Sequence, residues 1–356
     1  MGRKESVEME LYSARFRTVL LVAMAGLLLM ALNQRMETYS PQTIYVRRPV
    51  AKLQSDEVVI ASPSASRQYK TKFPPSRTGR QNTGIDGKLK VPNVLHYVWL
   101  TDPKAKGATI HSMTLYRMLG PISACRNLRP DRIILHSNQR PSGRLWDELF
   151  RIVPIEHEYY PDVKEVFGQP VDNIAHRSDV ARIDIIRSHG GIYLDFDVVV
   201  LKSFDPLRVH DCVLGVESGK AAGTRNMTNA GVIIGAKNAT FLNMWYDGYR
   251  DYRENWLYNS AVVPNKLRAK HGQLLHVDPN IWHDTSGHIF KSFADLSHTY
   301  AYHMWVNHNF RNVPGVNKHD INPQDAFLMN NTFGELLLRF YTHYYWLGNT
   351  SVPAAP

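Results

Sequence analysis

From Val91 onward, short apolar runs alternate with stretches of helical periodicity. The predicted elements are, in order, a buried strand at residues 94 to 100 (VLHYVWL), a helix within residues 109 to 119, a strand at Arg132–His136, a short helix at residues 142 to 150 and a strand at Arg151–Ile155. Strands that alternate with helices predict an α/β domain built on a parallel sheet.

The next predicted helix starts after Asp172 or Asn173, either of which could cap it, and ends at Gly190. At 100° per residue one stripe of this helix carries Asp179, Arg182, Ile183 and Ile186. An Asp and an Arg three residues apart could form an ordinary salt bridge within the helix. The stripe gains a second interpretation because the helix leads directly into an unusual strand.

That strand reads GGIYLDFDVVV and contains Asp195 and Asp197, one residue apart. In an extended segment both carboxylates would point to the same face, together with Tyr193. Two like charges on one face repel each other unless a cation lies between them and an anionic ligand. Mn²⁺ or Mg²⁺ binds carboxylate and diphosphate oxygens together, so the pair is a candidate metal site. Asp-x-Asp also arises by chance, and the alternative is two aspartates facing water at a strand end.

The longest apolar run, residues 19 to 32 (VLLVAMAGLLLMAL), follows basic residues at Arg15 and Arg17. We interpret it as an uncleaved signal anchor with a cytoplasmic tail at residues 1 to 18, because no small-x-small cleavage site follows. A cleaved signal peptide is the alternative. A short span is typical of the early secretory pathway. Both interpretations place the rest of the chain outside the cytoplasm, and the first predicts a single-pass type II Golgi protein.

The net charge of +10 lies mainly in residues 33 to 90, which hold eleven Lys or Arg against four acidic residues. This segment is rich in Ser, Pro and Gly and predicts a flexible stem. The folded part, residues 91 to 356, is nearly neutral, so a nucleic-acid-binding protein is not expected.

Four Asn-x-Ser/Thr sequons agree with a luminal location and are predicted glycosylation sites. They begin at Asn226, Asn238, Asn330 and Asn349. Cys125 and Cys212 are the two cysteines of the chain, and they could form one disulfide or remain free thiols.

The stretch from His176 to Asp205 resembles the donor-sugar-binding segment of glycosyltransferase family 32. This group includes yeast-type Golgi mannosyltransferases and animal lactosylceramide α-1,4-galactosyltransferases, and it is distantly related to the glucosylating clostridial toxins. The family pattern is Ser-Asp, an Arg three residues after the Asp, and Gly-Gly-(Ile/Met)-Tyr-Leu-Asp-x-Asp. The matching residues are Ser178, Asp179, Arg182, Gly190, Gly191, Ile192, Tyr193, Leu194, Asp195 and Asp197.

The resemblance extends to VPNVLHYVWL (residues 91 to 100), NAGVIIGAKNATF (229 to 241) and AYHMW (301 to 305). It implies a single catalytic domain of the GT-A fold, a Rossmann-like α/β fold that binds nucleotide-sugars, over residues 91 to 356. It also implies a divalent cation, Mn²⁺ or Mg²⁺, and retention of anomeric configuration. A UDP-sugar is the expected donor and a glycan on lipid or protein the expected acceptor.

The resemblance also implies roles for individual residues. Asp179, Arg182 and Asp195 would bind the donor sugar, and Asp197 would ligate the metal. Trp99 would stack on the nucleotide base, although a core tryptophan is an open alternative. The His-x-Trp pair, His303 and Trp305, would close over the diphosphate and metal.

Two alternatives from other classes remain open. An inactive relative could bind glycans or act as a chaperone, but loss of activity would be expected to erode Asp197 or Trp99, and both are present. A nucleotidyltransferase would need a Gly-rich, Lys-containing phosphate loop near the first strand, which the sequence lacks. Glu217 is a further candidate as a carboxylate on the acceptor side. The oligomeric state is not predicted.

Overall fold

The computed structural model describes residues 61–62, 65–66, 88–104, 113–217, 227–255, 257–310, 321 and 325–342. All of them fall within the unit Glu57–Pro356. The predicted tail and anchor, residues 1 to 32, lie outside the described residues, as does most of the stem. None of the helices in the described ranges has the length and apolar character needed to span a bilayer.

The strands and helices are numbered here in chain order. The strands are β1 (Ala61–Ser62), β2 (Ala65–Ser66), β3 (Val94–Val98), β4 (Arg132–Ser137), β5 (Ile155–Tyr159), β6 (Glu165–Val166), β7 (Gln169–Pro170), β8 (Gly191–Leu194), β9 (Val198–Val200), β10 (Cys212–Glu217), β11 (Thr228–Gly235), β12 (His276–His283) and β13 (Ala301–His303). The α-helices are α1 (Leu115–Leu128), α2 (Arg144–Ile152), α3 (Ile174–His189), α4 (Thr240–Asp247), α5 (Val263–His271), α6 (Val306–Asn309), α7 (Asp325–Leu328) and α8 (Thr332–Leu337). Short 3₁₀ turns lie at Asp205–Leu207, Gly248–Asp251, Gly272–Leu274 and His288–Phe290, and π-helical turns at Tyr258–Val262 and Leu338–Thr342.

Within the described residues the main sheet has nine strands in the order β5-β4-β3-β8-β11-β10-β12-β13-β9. The four strands from β5 to β8 are parallel, as predicted. Strand β11 runs antiparallel to both β8 and β10, and β9 runs antiparallel to β13. The α/β class is therefore confirmed, but the sheet is mixed and not purely parallel.

Strands β8 and β9 are neighbours along the chain, although four other strands separate them in the sheet. Three residues connect them, Asp195 to Asp197, so the Cα atoms of Leu194 and Val198 are at most about 14 Å apart. The sheet must therefore curl until its edge strand β9 returns beside β8. The Asp-x-Asp motif lies at the place where this curl closes.

Two apolar layers cover the two faces of the sheet. Residues of β3 alternate between them, with Leu95 and Tyr97 packed in the layer that contains α1 and Val98 in the layer that contains α3. Alternation of this kind is the expected consequence of the two-residue period of a strand. Both helices are therefore fixed against the sheet.

The strand predicted after the second helix starts later than expected. The strand expected at Arg151–Ile155 begins only at Ile155, because Arg151 and Ile152 still belong to α2. Pro154 explains the shift, since it disfavours helical backbone at Val153, which is extended at φ −113° and ψ 127°. The proline therefore ends the helix and delays the strand.

The helix expected within residues 109 to 119 is observed as α1, which starts at Leu115 and continues past Gly120 and Pro121 to Leu128. Residues 105 to 112 lie outside the described part of the chain. Gly120 allows this helix to approach the backbone of Phe196 closely, because a Cβ at this position would overlap the Phe196 carbonyl oxygen. Helix α1 thus packs directly on the Asp-x-Asp turn.

Candidate active site

Helix α3 forms as the sequence predicts. The side chain of Asn173 caps it by accepting a hydrogen bond from the Ala175 N–H at 2.9 Å. The helix ends at Gly190, whose φ of 72° suits glycine, and Gly191 follows at φ 124°. A Cβ at Gly191 would lie 2.6 Å from the Val94 carbonyl oxygen, so the turn into β8 requires a residue without a side chain. The two glycines bring the helix stripe against the strand.

Arg182 joins the helix stripe to the Asp-x-Asp turn. Its guanidinium lies 3.3 Å from Asp179 Oδ1 and 3.2 Å from Asp195 Oδ1, and it donates a hydrogen bond to the Ala230 carbonyl at 3.1 Å. It also stacks on the ring of Tyr193, with 4.7 Å between the guanidinium carbon and the ring centre. The salt bridge within the helix and the paired aspartates are therefore parts of one cluster, as predicted.

Burial shapes the charge of this cluster. It raises the pKa of Asp179 to about 6, against the opposing effect of Arg182 and with a smaller contribution from Asp195. The exposed fractions of the Asp179 and Arg182 side chains are 11% and 10%, against 22% for Asp195. A ligand would therefore reach Asp195 most readily and touch only the outer edge of the other two.

The Asp-x-Asp segment is a turn and not the extended strand that was expected. Strand β8 ends at Leu194, and the Val198 N–H donates to the Asp195 carbonyl at 3.0 Å to close the turn. The alternation of side chains along a strand therefore does not explain how the two carboxylates come together, and that part of the prediction is wrong. Both side chains nevertheless reach the same histidine, because the turn curves around it.

That histidine is His303, at the end of β13. Its Nε2 lies 3.0 Å from Asp197 Oδ1 and 3.7 Å from Asp195 Oδ2. Strand β11 makes room for the ring at Gly231, where a Cβ would overlap the imidazole. The three side chains can each direct one donor atom so that all three atoms lie within 4.8 Å of one another. Two carboxylate oxygens and one imidazole nitrogen form a donor set that suits Mn²⁺ and other divalent first-row metals.

The pKa values indicate a coupled acid–base pair. Burial alone would raise the pKa of Asp197, but His303 and, more weakly, Arg117 lower it to about 2. Burial alone would lower the pKa of His303, but the nearby Asp197 raises it above its usual range. Asp197 and His303 therefore each favour the charged form of the other.

Trp99 and Trp305 lie in different surroundings. Trp99 is 8% exposed and packs edge-on against Trp146 and Phe196, at ring-centre distances of 4.9 Å and 5.2 Å. It therefore belongs to the core, and its stacking on a base stays a prediction. Trp305 is half-buried, adopts φ 49°, and lies 4.9 Å from the ring of His283.

The site also contains His283, which the sequence did not single out. The register places Glu217, His283 and His303 side by side across β10, β12 and β13. All three are buried, and burial raises the pKa of Glu217, whose carboxylate is hydrogen-bonded to Asn229. Tyr193 donates a hydrogen bond to Asp195 Oδ1 at 2.6 Å. His283 carried no motif signal, because nothing local indicated that β12 and β13 are neighbours.

The remaining predicted sites are placed as follows. Asn238 and Asn330 are exposed, while Asn226 and Asn349 lie outside the described residues, so glycosylation stays a prediction at all four. Cys125 in α1 and Cys212 in β10 are both free thiols in the structure.

Residues 122–214 match the family model described as "Glycosyltransferase sugar-binding region containing DXD motif". The matched region includes Asp179, Arg182, Asp195 and Asp197. Over these residues the chain is similar to the DXD-containing sugar-binding region of glycosyltransferases. His303 lies beyond the matched region, so its place in the site comes from the structure.

A curated relative is similar to the chain over much of its length. Glucan organizing enzyme 1 of Cryptococcus neoformans var. grubii is 31% identical over 237 residues, which are 61% of this chain and 63% of the relative. The chain thus spans less than two thirds of that protein.

Solved glycosyltransferases resemble the chain more remotely. The galactosyltransferase LgtC, in complex with donor and acceptor sugar analogues, gives a TM-score of 0.41 at 15% identity, over 73% of this chain and 98% of LgtC. The bifunctional glycosyltransferase WbbM gives a TM-score of 0.40 at 10% identity, over 77% of this chain and 53% of WbbM. GlyE of Streptococcus pneumoniae TIGR4 gives 0.33 at 15%, over 53% and 45%.

Proposed function

We propose that the chain is a metal-dependent glycosyltransferase that moves a hexose from a nucleotide-sugar, with UDP as the expected nucleotide, to a glycan acceptor. The observation that carries this proposal is the meeting of Asp195, Asp197 and His303 within reach of one ion, beside the Asp179–Arg182 pair. The match to a sugar-binding family supports the same assignment for the neighbouring helix and turn.

Asp197 and His303 are the proposed principal ligands of a divalent cation, Mn²⁺ or Mg²⁺, with Asp195 near enough to share it. Such a cation neutralises the charge of a departing diphosphate and lowers the barrier to glycosyl transfer. The chain contributes the rest. It lowers the pKa of Asp197 and so favours its carboxylate form, keeps the imidazole of His303 directed at both aspartates, and leaves about a fifth of each aspartate side chain open to a ligand.

The donor sugar is proposed to lie against Asp195 and the exposed edges of Asp179 and Arg182. A guanidinium presents several donors in one plane and can bind two oxygens at once, which suits vicinal hydroxyls. A retaining transfer on one face of the sugar needs positioning and charge stabilisation more than a strong base. Glu217, buried in the same row as His283 and His303, is the proposed carboxylate on the acceptor side.

The broader setting is part of the proposal. Residues 91 to 356 would form a GT-A catalytic domain, joined by the basic stem to a signal anchor, in a type II protein of the Golgi membrane. The name of the curated relative refers to glucan, so an oligoglucan belongs among the acceptors to be tried, beside glycolipids and glycoproteins.

A donor panel tests the proposal directly. The full chain in detergent is incubated with UDP- and GDP-sugars, with and without Mn²⁺ and a chelator, and release of nucleotide is measured. Turnover of one UDP-sugar that needs Mn²⁺ is the expected result. Failure to bind or turn over any nucleotide-sugar would remove the proposed enzyme activity, and turnover that ignores the chelator would remove the cation.

A further inference from the structure

His283 lies directly behind the proposed metal ligand His303. The two Nδ1 atoms are 2.7 Å apart, and the rings meet nearly edge to face at 72°. His283 is 5% exposed and His303 6%. At this distance one nitrogen must donate a proton and the other must accept it, because two lone pairs or two N–H groups would repel.

The fold holds His283 in this place. The register between β10 and β12 moves from Gly215 opposite Asp278 to Val216 opposite Trp282, so β12 carries an irregularity just before the histidine. Irregularities of this kind re-aim side chains beside active sites. The contact with His303 is therefore set by the strands and not by a mobile surface loop.

The turn after His283 is also fixed. The carboxylate of Asp284 is 2% exposed and accepts hydrogen bonds from the backbone N–H groups of Ser286, Gly287 and His288. It also accepts one from the Tyr302 hydroxyl at 2.6 Å, which ties the turn to β13. Strands β12 and β13 are thus joined on both sides of the histidine pair.

We propose that His283 is a positioning residue that accepts the Nδ1 proton of His303 and so keeps the Nε2 lone pair of His303 directed at the cation. A neutral imidazole carries one proton, so a proton on Nδ1 leaves Nε2 free to ligate. Without an acceptor at Nδ1, the proton can move to Nε2 and be donated to Asp197, which competes with the cation. The inference rests on the metal role proposed above.

His283 could instead serve only to fill space in the core. Two substitutions separate this packing role from the role as a hydrogen-bond acceptor, because the two roles predict different Mn²⁺ affinities. His283→Leu keeps an apolar side chain of similar reach but removes the acceptor, whereas His283→Asn places an amide oxygen near the position of Nδ1. His276→Leu is the matched control, because His276 lies at the other end of the same strand and stacks on His210. Each variant is first checked for a cooperative thermal unfolding transition.

The measurement starts from the metal-free full chain of each variant. Mn²⁺ affinity is measured by titration, with free Mn²⁺ followed by electron paramagnetic resonance. His283→Leu should weaken Mn²⁺ binding roughly 10–100-fold, as expected for loss of a ligand's supporting hydrogen bond. His283→Asn should recover most of the affinity, and His276→Leu should match the wild type.

The inference is overturned if His283→Leu binds Mn²⁺ like the wild type, or if the Leu and Asn variants lose affinity equally, as packing alone predicts. If the wild type binds no Mn²⁺, the proposed metal function fails. The inference about His283 fails with it in that case. A wild type that binds Mn²⁺, together with a His283→Leu variant that binds it equally well, would remove the inference alone.

Discussion

Gly231 is the position at which a single added methyl group should disable the site. Its Cβ would overlap the His303 imidazole and would lie 2.7 Å from ring atom Cε1, whereas ordinary contact begins near 3.4 Å. The ring must therefore move by at least about 0.7 Å in Gly231→Ala. Metal–ligand distances tolerate only about 0.2 Å. Affinity for Mn²⁺ should fall roughly 10–100-fold, and overpacking should cost about 1–3 kcal/mol of stability.

Mn²⁺ titration of the metal-free chain measures the first effect, and thermal or urea unfolding measures the second. Gly272→Ala is the matched control, because that glycine has helical backbone angles of φ −56° and ψ −26° and an added Cβ would meet nothing within 4 Å. It should keep wild-type affinity and gain about 0.4–1 kcal/mol of stability. A folded Gly231→Ala variant with wild-type Mn²⁺ affinity would refute the place of His303 in the metal site.

Three further predictions concern the elements that support the site. Acid should destabilise the fold, because burial and then the neighbouring histidines lower the pKa of His96 to about 3 and that of His136 to about 4. The unfolded chain, whose histidines titrate near pH 6.5, therefore binds more protons than the folded chain as the pH falls. Protonation of these two histidines in the unfolded chain should lower the free energy of unfolding by roughly 3–4 kcal/mol between pH 7 and 5. Urea titrations at the two pH values measure this loss, which should be about half as large in His136→Gln. Arg182→Lys should lower kcat/KM roughly 10²-fold, since an ammonium cannot replace the planar fork between Asp179 and Asp195, whereas Arg187→Lys on the same helix should not. Asn173→Ala should cost about 1 kcal/mol through loss of the α3 cap, and an unchanged melting temperature would show that the cap is not needed.

Local signals in the sequence were sufficient for α3 and for the grouping of Asp179 and Arg182 with the aspartates. The cap residue, the terminal glycines and the helical period all lie within 20 residues, so no distant contact had to be known. The strand at Arg151–Ile155 failed for an equally local reason, because the effect of Pro154 on the preceding residue was not weighed.

The rest of the site depends on long-range pairing. His303 is more than a hundred residues from Asp197 in sequence, and its contact arises because β9 pairs with β13 after the sheet has curled. A resemblance suggested His303, but no periodicity could have placed His283 beside it. The turn at Asp195–Asp197 was also missed, since a run of branched and aromatic residues reads as a continuous strand.

The central claim is that Asp195, Asp197 and His303 hold a divalent cation needed for sugar transfer. The most direct test compares Mn²⁺-dependent turnover of the wild type with Asp197→Asn and with Asp247→Asn, whose carboxylate is 63% exposed beside Arg250. Asp197→Asn should lose both tight Mn²⁺ binding and turnover, while Asp247→Asn should keep both. Full turnover by Asp197→Asn, with Mn²⁺ affinity unchanged, would contradict the claim.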